Sequence, residues 1–377
     1  MDLKNKIIFM PNNEKGNNLI AVIVLAVIFS LAGGAVGGIL FKSYLADQFM
    51  LGSEIDFSRG SLSPQFIIRD PKKVVVAQDD KISETVNSSE KSVVGLFKKI
   101  SGENKLKAED YYLLKQEAGQ GLIVTSDGWI ITNYKIDSPL NFVVITKERK
   151  IYAIDRIISD KLTPFYFIHV NAEELPVNNF AGQRDIKRGQ LVVALNWKGE
   201  SFPAALLNNQ DASAGQIINS SDVFISRIKL TNKLGSNFNG APVFNLAGDI
   251  IGLSLGGDLV EPMHHFSTVL KSLQKNGAIK RPKLGINYFN LTQAAGRAYK
   301  NGALIQKSSS SPAIIKESAA DSAGLKEGDI ITALEDVELD QNNNLNDLIQ
   351  KYLPGEEIRI VYIRNDVEKD IIVKLGE

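Results

Sequence analysis

Hydrophobic and polar positions divide the chain into three regimes. From Leu19 to Phe41 the string LIAVIVLAVIFSLAGGAVGGILF carries no charge. About 23 residues at 1.5 Å rise span roughly 34 Å, enough to cross a bilayer core with some tilt. The uncharged run is longer than the apolar core of a signal peptide, about 7–15 residues, and a soluble helix has no need to be apolar on every face over that distance. The pattern predicts one N-terminal transmembrane helix at 19–41. Lys4, Lys6 and Lys15 precede it, whereas Lys42 is soon followed by Asp47, Glu54 and Asp56. That asymmetry predicts a cytoplasmic segment 1–18 and an extracytoplasmic remainder, in a periplasm or at a cell surface.

Residues 42–90 mix polar stretches such as SRGSLSP with a short helical pattern and read as a spacer leading into a folded body. From Ser92 the pattern changes to short β-type runs parted by turn residues: VVGLFKK, GLIVTSDGWIITN, FVVITKERKIYAIDRIIS, FYFIHV, QLVVALNW, VFISRIKL and APVFNLAGDIIGLSLGG. Many short strands at this spacing predict a closed all-β body, and Asp127-Gly128 marks a hairpin turn. A helical period in FSTVLKSLQKNGAIKR stops at Asn276-Gly277, a C-terminal cap. The last hundred or so residues predict strands in KLGINYF, GALIQK, AIIKES, DIITALE, EIRIVYIR and DIIVKL, and helices near LTQAAGRAYK and NNLNDLIQKY, which is an independent α+β module. The expected division is 91–277 for the β body and 278–377 for the module.

Composition narrows the chemistry. Lys plus Arg number 43 and Asp plus Glu 43, so no global field draws the chain to nucleic acid, and no nucleic-acid partner is expected. Without cysteine there is no disulfide framework, thiol nucleophile or Cys-based zinc site. The three histidines are His169, His264 and His265. His169, inside FYFIHV, reads as a strand-face or core histidine. His264 and His265 are an adjacent pair that would bind a metal only if both faced one side, and neighbours in a strand face opposite sides. No metal and no cofactor is expected.

The order of anchor, β body, linking helix and terminal module resembles the HtrA/DegP family of serine proteases. GLIVTSDGWIITN (121–133) is similar to the family's first-barrel hairpin, which continues T-N-x-H. LGSNFNGAPVFN (234–245) is similar to the stretch carrying G-N-S-G-G-P, and SAADSAGLKEGDII (318–331) to the PDZ core. The resemblance implies a trypsin/chymotrypsin-like double β-barrel, each barrel six-stranded, followed by a PDZ domain.

In that register the triad histidine falls on Lys135, the aspartate on Pro164 and the serine on Asn239. An asparagine amide offers no ionisable nucleophile, a lysine is normally protonated, and proline has no side-chain acceptor. Phe238 and Ala241 replace smaller residues where the family's backbone bends sharply. The resulting expectation is a chain that is not an enzyme, a pseudoprotease that binds peptides or unfolded proteins without cutting them. The alternative is an active endopeptidase with a rebuilt site at Ser236 and Lys135.

Lys283, Leu284, Gly285 and Ile286 resemble the carboxylate-binding loop of the family's PDZ domains, in which backbone N–H groups receive a peptide's terminal carboxylate. Leu345, Leu348 and Ile349, at i, i+3 and i+4, place apolar contacts on one helix face as the other wall of the groove. The resemblance further implies a homotrimer, or a hetero-oligomer with active relatives. The bland reading of the same apolar residues is that they only fill the module's core.

Overall fold

A computed structural model describes residues 23–30, 33–34, 72–100, 111–208, 217–295 and 301–377. Residues 1–69 and 70–377 form two separate units. In the first, 23–30 and 33–34 are helical, with Ile23, Leu25 and Phe29 exposed. Among the described residues no helix is long and apolar enough to cross a membrane, so the expected span at 19–41 gains no support from the structure. Most of that span, segment 1–18 and much of the spacer lie outside the described residues.

The second unit opens with α1 (Lys72–Ser89). Its end is fastened to the β body: Thr85 Oγ1 donates to Leu246 O and Asn178 Nδ2 to Ser89 Oγ. Six strands then close a barrel: β1 (Val93–Lys98), β2 (Gly119–Ile123), β3 (Trp129–Thr132), β4 (Phe142–Ile145), β5 (Ile151–Ser159) and β6 (Tyr166–Val170), in the order β1-β2-β3-β6-β5-β4. The sequence explains why these strands are apolar on consecutive positions rather than alternating. Val94, Leu96, Ile123, Ile130, Val144 and Ile168 fill the barrel. The residues between them, such as Val93, Phe97, Leu122, Trp129 and Ile131, belong to a second cluster shared with the other barrel. A strand whose side chains alternate between two dry faces must be apolar throughout.

The second barrel closes β7 (Leu191–Leu195), β8 (Ser201–Asn208), β10 (Ile228–Leu234), β11 (Pro242–Asn245) and β12 (Ile250–Pro262) in the order β10-β12-β11-β7-β8. The expectation of six strands is therefore met in the first barrel, while the second closes with five among the described residues. β9 (Ile218–Ser220), between β8 and β10 in sequence, pairs elsewhere. α2 (Ser267–Asn276) follows, and its Val269, Leu270 and Leu273 join the cluster between the barrels, where Phe266 packs edge-on against Phe165 and Phe167. Gly277 ends the helix at φ 64°, as the sequence predicted.

The C-terminal module contains β13 (Asn287–Asn290), β14 (Ala303–Ile305), α3 (Ala319–Ala323), β15 (Ile330–Leu334), β16 (Val337–Glu338), α4 (Leu345–Ile349), β17 (Glu357–Arg364) and β18 (Val367–Lys374). Its sheet runs β18-β17-β15-β14-β13-β9, with β16 on β15. Thus a strand from the barrel body forms the edge of the module's sheet.

Several local expectations change. AIIKES forms no strand and makes only a bridge, Ile314 to Ile286. LTQAAGRAYK yields a single 3-10 turn, Leu291–Gln293, among the described residues, and VFISRIKL becomes strand only from Ile228.

Candidate functional site

The loop before β11 carries Asn239, the position on which the resemblance places a serine. Ser236–Phe238 is a 3-10 turn. Asn239 N donates to Ser236 O at 3.1 Å, Gly240 N to Ser254 O at 2.9 Å and Ala241 N to Phe238 O at 3.0 Å. Phe238 is buried inside the second barrel, which fixes the turn. A residue of the first barrel clasps the loop: Gln120 Nε2 donates to Asn239 O at 2.8 Å and Asn237 O at 3.2 Å, while its Oε1 accepts from Trp197 N at 2.8 Å. Gln120 is nine-tenths buried, so these bonds satisfy an amide that would otherwise cost free energy. Glu200 accepts from Asn196 and Asn237, and these two hydrogen bonds, Asn196 first, hold its carboxyl below the usual range.

Lys135 is exposed and lines a shallow depression with Lys98, Tyr134, Asp137 and Asn141. Pro164 is exposed in the β5–β6 turn. The neighbouring Asp160 instead takes Thr163 Oγ1 at 2.7 Å and Arg281 Nε at 3.0 Å. Ser236 is exposed, and among the described residues no hydrogen bond joins it to Lys135. The structure therefore does not assemble the Ser236 and Lys135 pair.

The groove of the C-terminal module is built as follows. Gly285 has φ 82°, and a Cβ there would lie 2.3 Å from Ser318 Cβ, so the loop requires glycine. Leu284 N and Gly285 N donate, at 2.9 and 3.1 Å, to one oxygen, Asp222 Oδ1. Ile286 N donates to Ser221 Oγ at 3.1 Å, and Ser221 N returns a bond to Ile286 O at 2.9 Å. β9 then runs antiparallel along β13, with Ser220 opposite Asn287, Asn219 opposite Tyr288 and Ile218 opposite Phe289. From the helix side, Asn346 Nδ2 donates to Ser220 O and Val223 O, and Tyr288 OH bonds Asn346 Oδ1.

Of the residues picked from sequence, Leu284, Ile286, Leu345, Leu348 and Ile349 lie together in one buried core. Gly285 supplies a loop N–H. Lys283 is exposed, and its backbone pairs with Gly376 rather than facing the groove. Sequence reasoning missed Asn346, Asp222 and Ser221. The available signal was a carboxylate just beyond the β-type run Ile217-Ile218-Asn219.

Next to the groove, His265 Nδ1 bonds Glu261 Oε1 at 2.6 Å and Nε2 bonds Asp347 Oδ1 at 3.2 Å. His264 Nε2 lies 3.5 Å from Asp347 Oδ2. The premise that neighbouring histidines face opposite sides fails, because Met263–Phe266 is a 3-10 helix and not a strand. Ligand atoms of His264, His265 and Asp347 all lie within 4.8 Å of one another, a spacing that would suit a metal ion. Both nitrogens of His265 already engage carboxylates. Burial pushes His265 down, but Asp347 and Glu261 outweigh it and hold its pKa raised. For His264 burial prevails and lowers it. Burial would lift Asp347, yet the two imidazoles beside it hold it far below the carboxylate range. Because Asp347 lies on α4 and Glu261 on β12, this cluster bolts the module to the second barrel.

Two closed barrels joined by an apolar seam, followed by a glycine-loop module with a strand-accepting edge, define a trypsin-like body carrying a PDZ domain. Residues 282–375 match the PDZ domain family. A protein of Hahella chejuensis named as a probable periplasmic serine endoprotease, DegP-like, is 26% identical over 278 residues, covering 70% of this chain and 57% of the relative. One of the same name from Rickettsia conorii is 23% identical over 317 residues, covering 79% and 60%. The chain thus spans about three fifths of the length of these relatives. Among solved structures, the HtrA-type protease AlgW with a tripeptide superposes with a TM-score of 0.54 at 17% identity, covering 78% of this chain and 96% of that one. AlgW with a decapeptide gives 0.52 at 17% identity, covering 78% and 98%.

The chain is similar to the HtrA/DegP-like serine endoproteases in sequence and shares the fold of HtrA-type proteases. This corrects the expectation that it is not an enzyme: its relatives are named serine endoproteases, and the family so named points to a protease. That expectation rests on three side chains, Lys135, Pro164 and Asn239.

Proposed function

We propose that this chain is an extracytoplasmic, membrane-anchored, protease-like protein of the HtrA type whose PDZ domain takes the C-terminal ends of peptides or unfolded polypeptides. In this reading 19–41 is the anchor, 42–90 the spacer, 91–277 the protease-like body and 278–377 the PDZ domain. The carrying observation is the pair of N–H groups on Leu284 and Gly285, which converge on a single carboxylate oxygen beside a strand edge that accepts an antiparallel partner. Such an edge gives affinity through main-chain bonds, and the paired N–H groups select a carboxylate. Related HtrA-type proteases in complexes with peptides support the ligand class, and relatives named periplasmic support the compartment.

The test is a titration of the full chain in detergent with fluorescein-labelled decapeptides bearing either a free C-terminal carboxylate or an amide. Hydrogen bonds to a charged group contribute about 1.5–3 kcal/mol, so the acid should bind at least about tenfold tighter. Equal binding of acid and amide refutes carboxylate capture. Incubation of the same preparation with β-casein tests the protease half, which intact casein at a peptide-saturating concentration would refute.

A further inference from the structure

The carboxylate that the PDZ loop holds belongs to the chain itself. Asp222 lies in the connection between β8 and β10 of the second barrel, and its Oδ1 takes both loop N–H groups. Behind it, Ser221 exchanges bonds with Ile286, and Ile218–Ser220 lies antiparallel on β13. Asn346 closes the other side with two bonds to the carbonyls of Ser220 and Val223. Direction, register and charge are those of an extended peptide whose C-terminal carboxylate ends at Leu284 and Gly285, with the Asp222 side chain in place of that terminus.

We infer that Ile218–Asp222 is the resident ligand of the PDZ groove, and that external ligands are polypeptide C-termini that must displace it. The inference rests on the peptide-binding reading above and adds what occupies the site and what exchanges with it. Three features carry it. Ile218–Ser220 lies in sequence between two strands of the second barrel yet pairs with β13 at the edge of the PDZ sheet. The loop N–H groups are satisfied by a charged acceptor and not by a backbone carbonyl, so a carboxylate is the chemistry for which this occupant stands. Finally, the polar side chain of α4 that faces the groove, Asn346, is spent on this segment and on Tyr288.

A tethered occupant competes at an effective concentration on the order of millimolar. A free peptide is therefore weakened by the fraction of groove left open. The same connection carries Ser226, bonded to Asp347, and Arg227, paired with Glu261. Exchange at the groove is thereby felt at the attachment between PDZ domain and barrel.

The experiment compares the wild-type full chain with Asp222→Ala and Asp222→Asn. The probe is the fluorescein-labelled peptide Ile-Ile-Asn-Ser-Ser with a free C-terminus. Hydrogen–deuterium exchange at the amides of Leu284 and Gly285 is read on the same proteins without probe. The expected result is a gain in probe affinity of at least about tenfold in Asp222→Ala, a smaller gain in Asp222→Asn, and faster exchange at both amides. Equal probe affinity in all three proteins overturns the resident ligand, while peptide binding itself stands. If no protein binds the probe, the peptide-binding reading fails. Exchange then decides the inference alone: faster exchange in Asp222→Ala supports occupancy, and unchanged exchange overturns it.

Discussion

Removing Arg281 should destabilise the body more than any surface substitution. Its Nε and Nη2 reach the two oxygens of Asp160 at 3.0 and 2.5 Å, and its Nη1 reaches His265 O at 3.1 Å and Gln350 Oε1 at 3.3 Å. The Asp160 side chain is fully buried and that of Arg281 is 8% exposed. From the linker after α2, one guanidinium therefore joins the first barrel, the 3-10 turn before α2 and the helix side of the PDZ domain. Among the described residues, Arg281→Met leaves the Asp160 carboxylate with Thr163 Oγ1 and Leu162 N as its remaining donors. Breaking a buried pair from one side costs about 3–5 kcal/mol. Urea unfolding followed by tryptophan fluorescence reads this directly, because the two tryptophans, Trp129 and Trp197, are both buried at the seam between barrels. With a urea slope of about 3 kcal/mol/M the midpoint should fall by about 1–2 M. Asp160→Asn combined with Arg281→Met should recover much of the loss, since neutral partners of similar shape leave no orphaned charge. A single-variant midpoint within about 0.2 M of wild type, or strict additivity of the two single losses, refutes the reasoning.

The histidine cluster should give stability a maximum near the ordinary histidine pKa of about 6.5. His264, held lowered, refuses a proton that the unfolded chain accepts, so its contribution is lost as pH falls below about 6.5 through its folded value. His265, held raised by Asp347 and Glu261, contributes fully below about 6.5 and loses that contribution as pH rises through its folded value. With Lys351 and Arg227 also near these groups, thermal melts of His264→Gln should flatten the acid limb and those of His265→Gln the alkaline limb; identical profiles for all three proteins contradict this. Phe266→Ala, which empties a fully buried site between Phe165 and Phe167, should cost about 3–5 kcal/mol in urea unfolding, and a loss below about 1 kcal/mol contradicts the packing argument. Gly285→Ala should abolish the preference for a free carboxylate over an amide while leaving the unfolding midpoint of the barrels unchanged; a retained preference contradicts the loop assignment.

The barrels were legible because their strands are bounded by turn residues and feed two apolar clusters, so runs such as VVGLF and WIIT could be only buried strands. β8 was not, since SFPAALLN places Pro203 within the run, a residue that argues against a strand interior. β9 was hidden for another reason: three residues of strand give no period, and their partner, β13, lies more than sixty positions away. AIIKES read as a strand from its isoleucines, but Ile286 takes only one bridge to it. The groove was half visible. Gly285 announced the loop, whereas Asp222 and Asn346 are ordinary polar residues whose meaning depends on what the fold brings beside them. The histidine pair was misread because the local backbone is helical, and on a 3-10 turn neighbouring rings can both reach Asp347.

The central claim is that backbone N–H groups at Leu284 and Gly285 are the receptor for a polypeptide C-terminus. Amide resonances of these two residues, followed by NMR in the Asp222→Ala protein as a free-acid peptide is added, test it most directly. Saturable shifts at both residues with the acid, and none with the amide, are predicted. Unmoved Leu284 and Gly285 resonances, with peptide bound elsewhere on the protein, would contradict it.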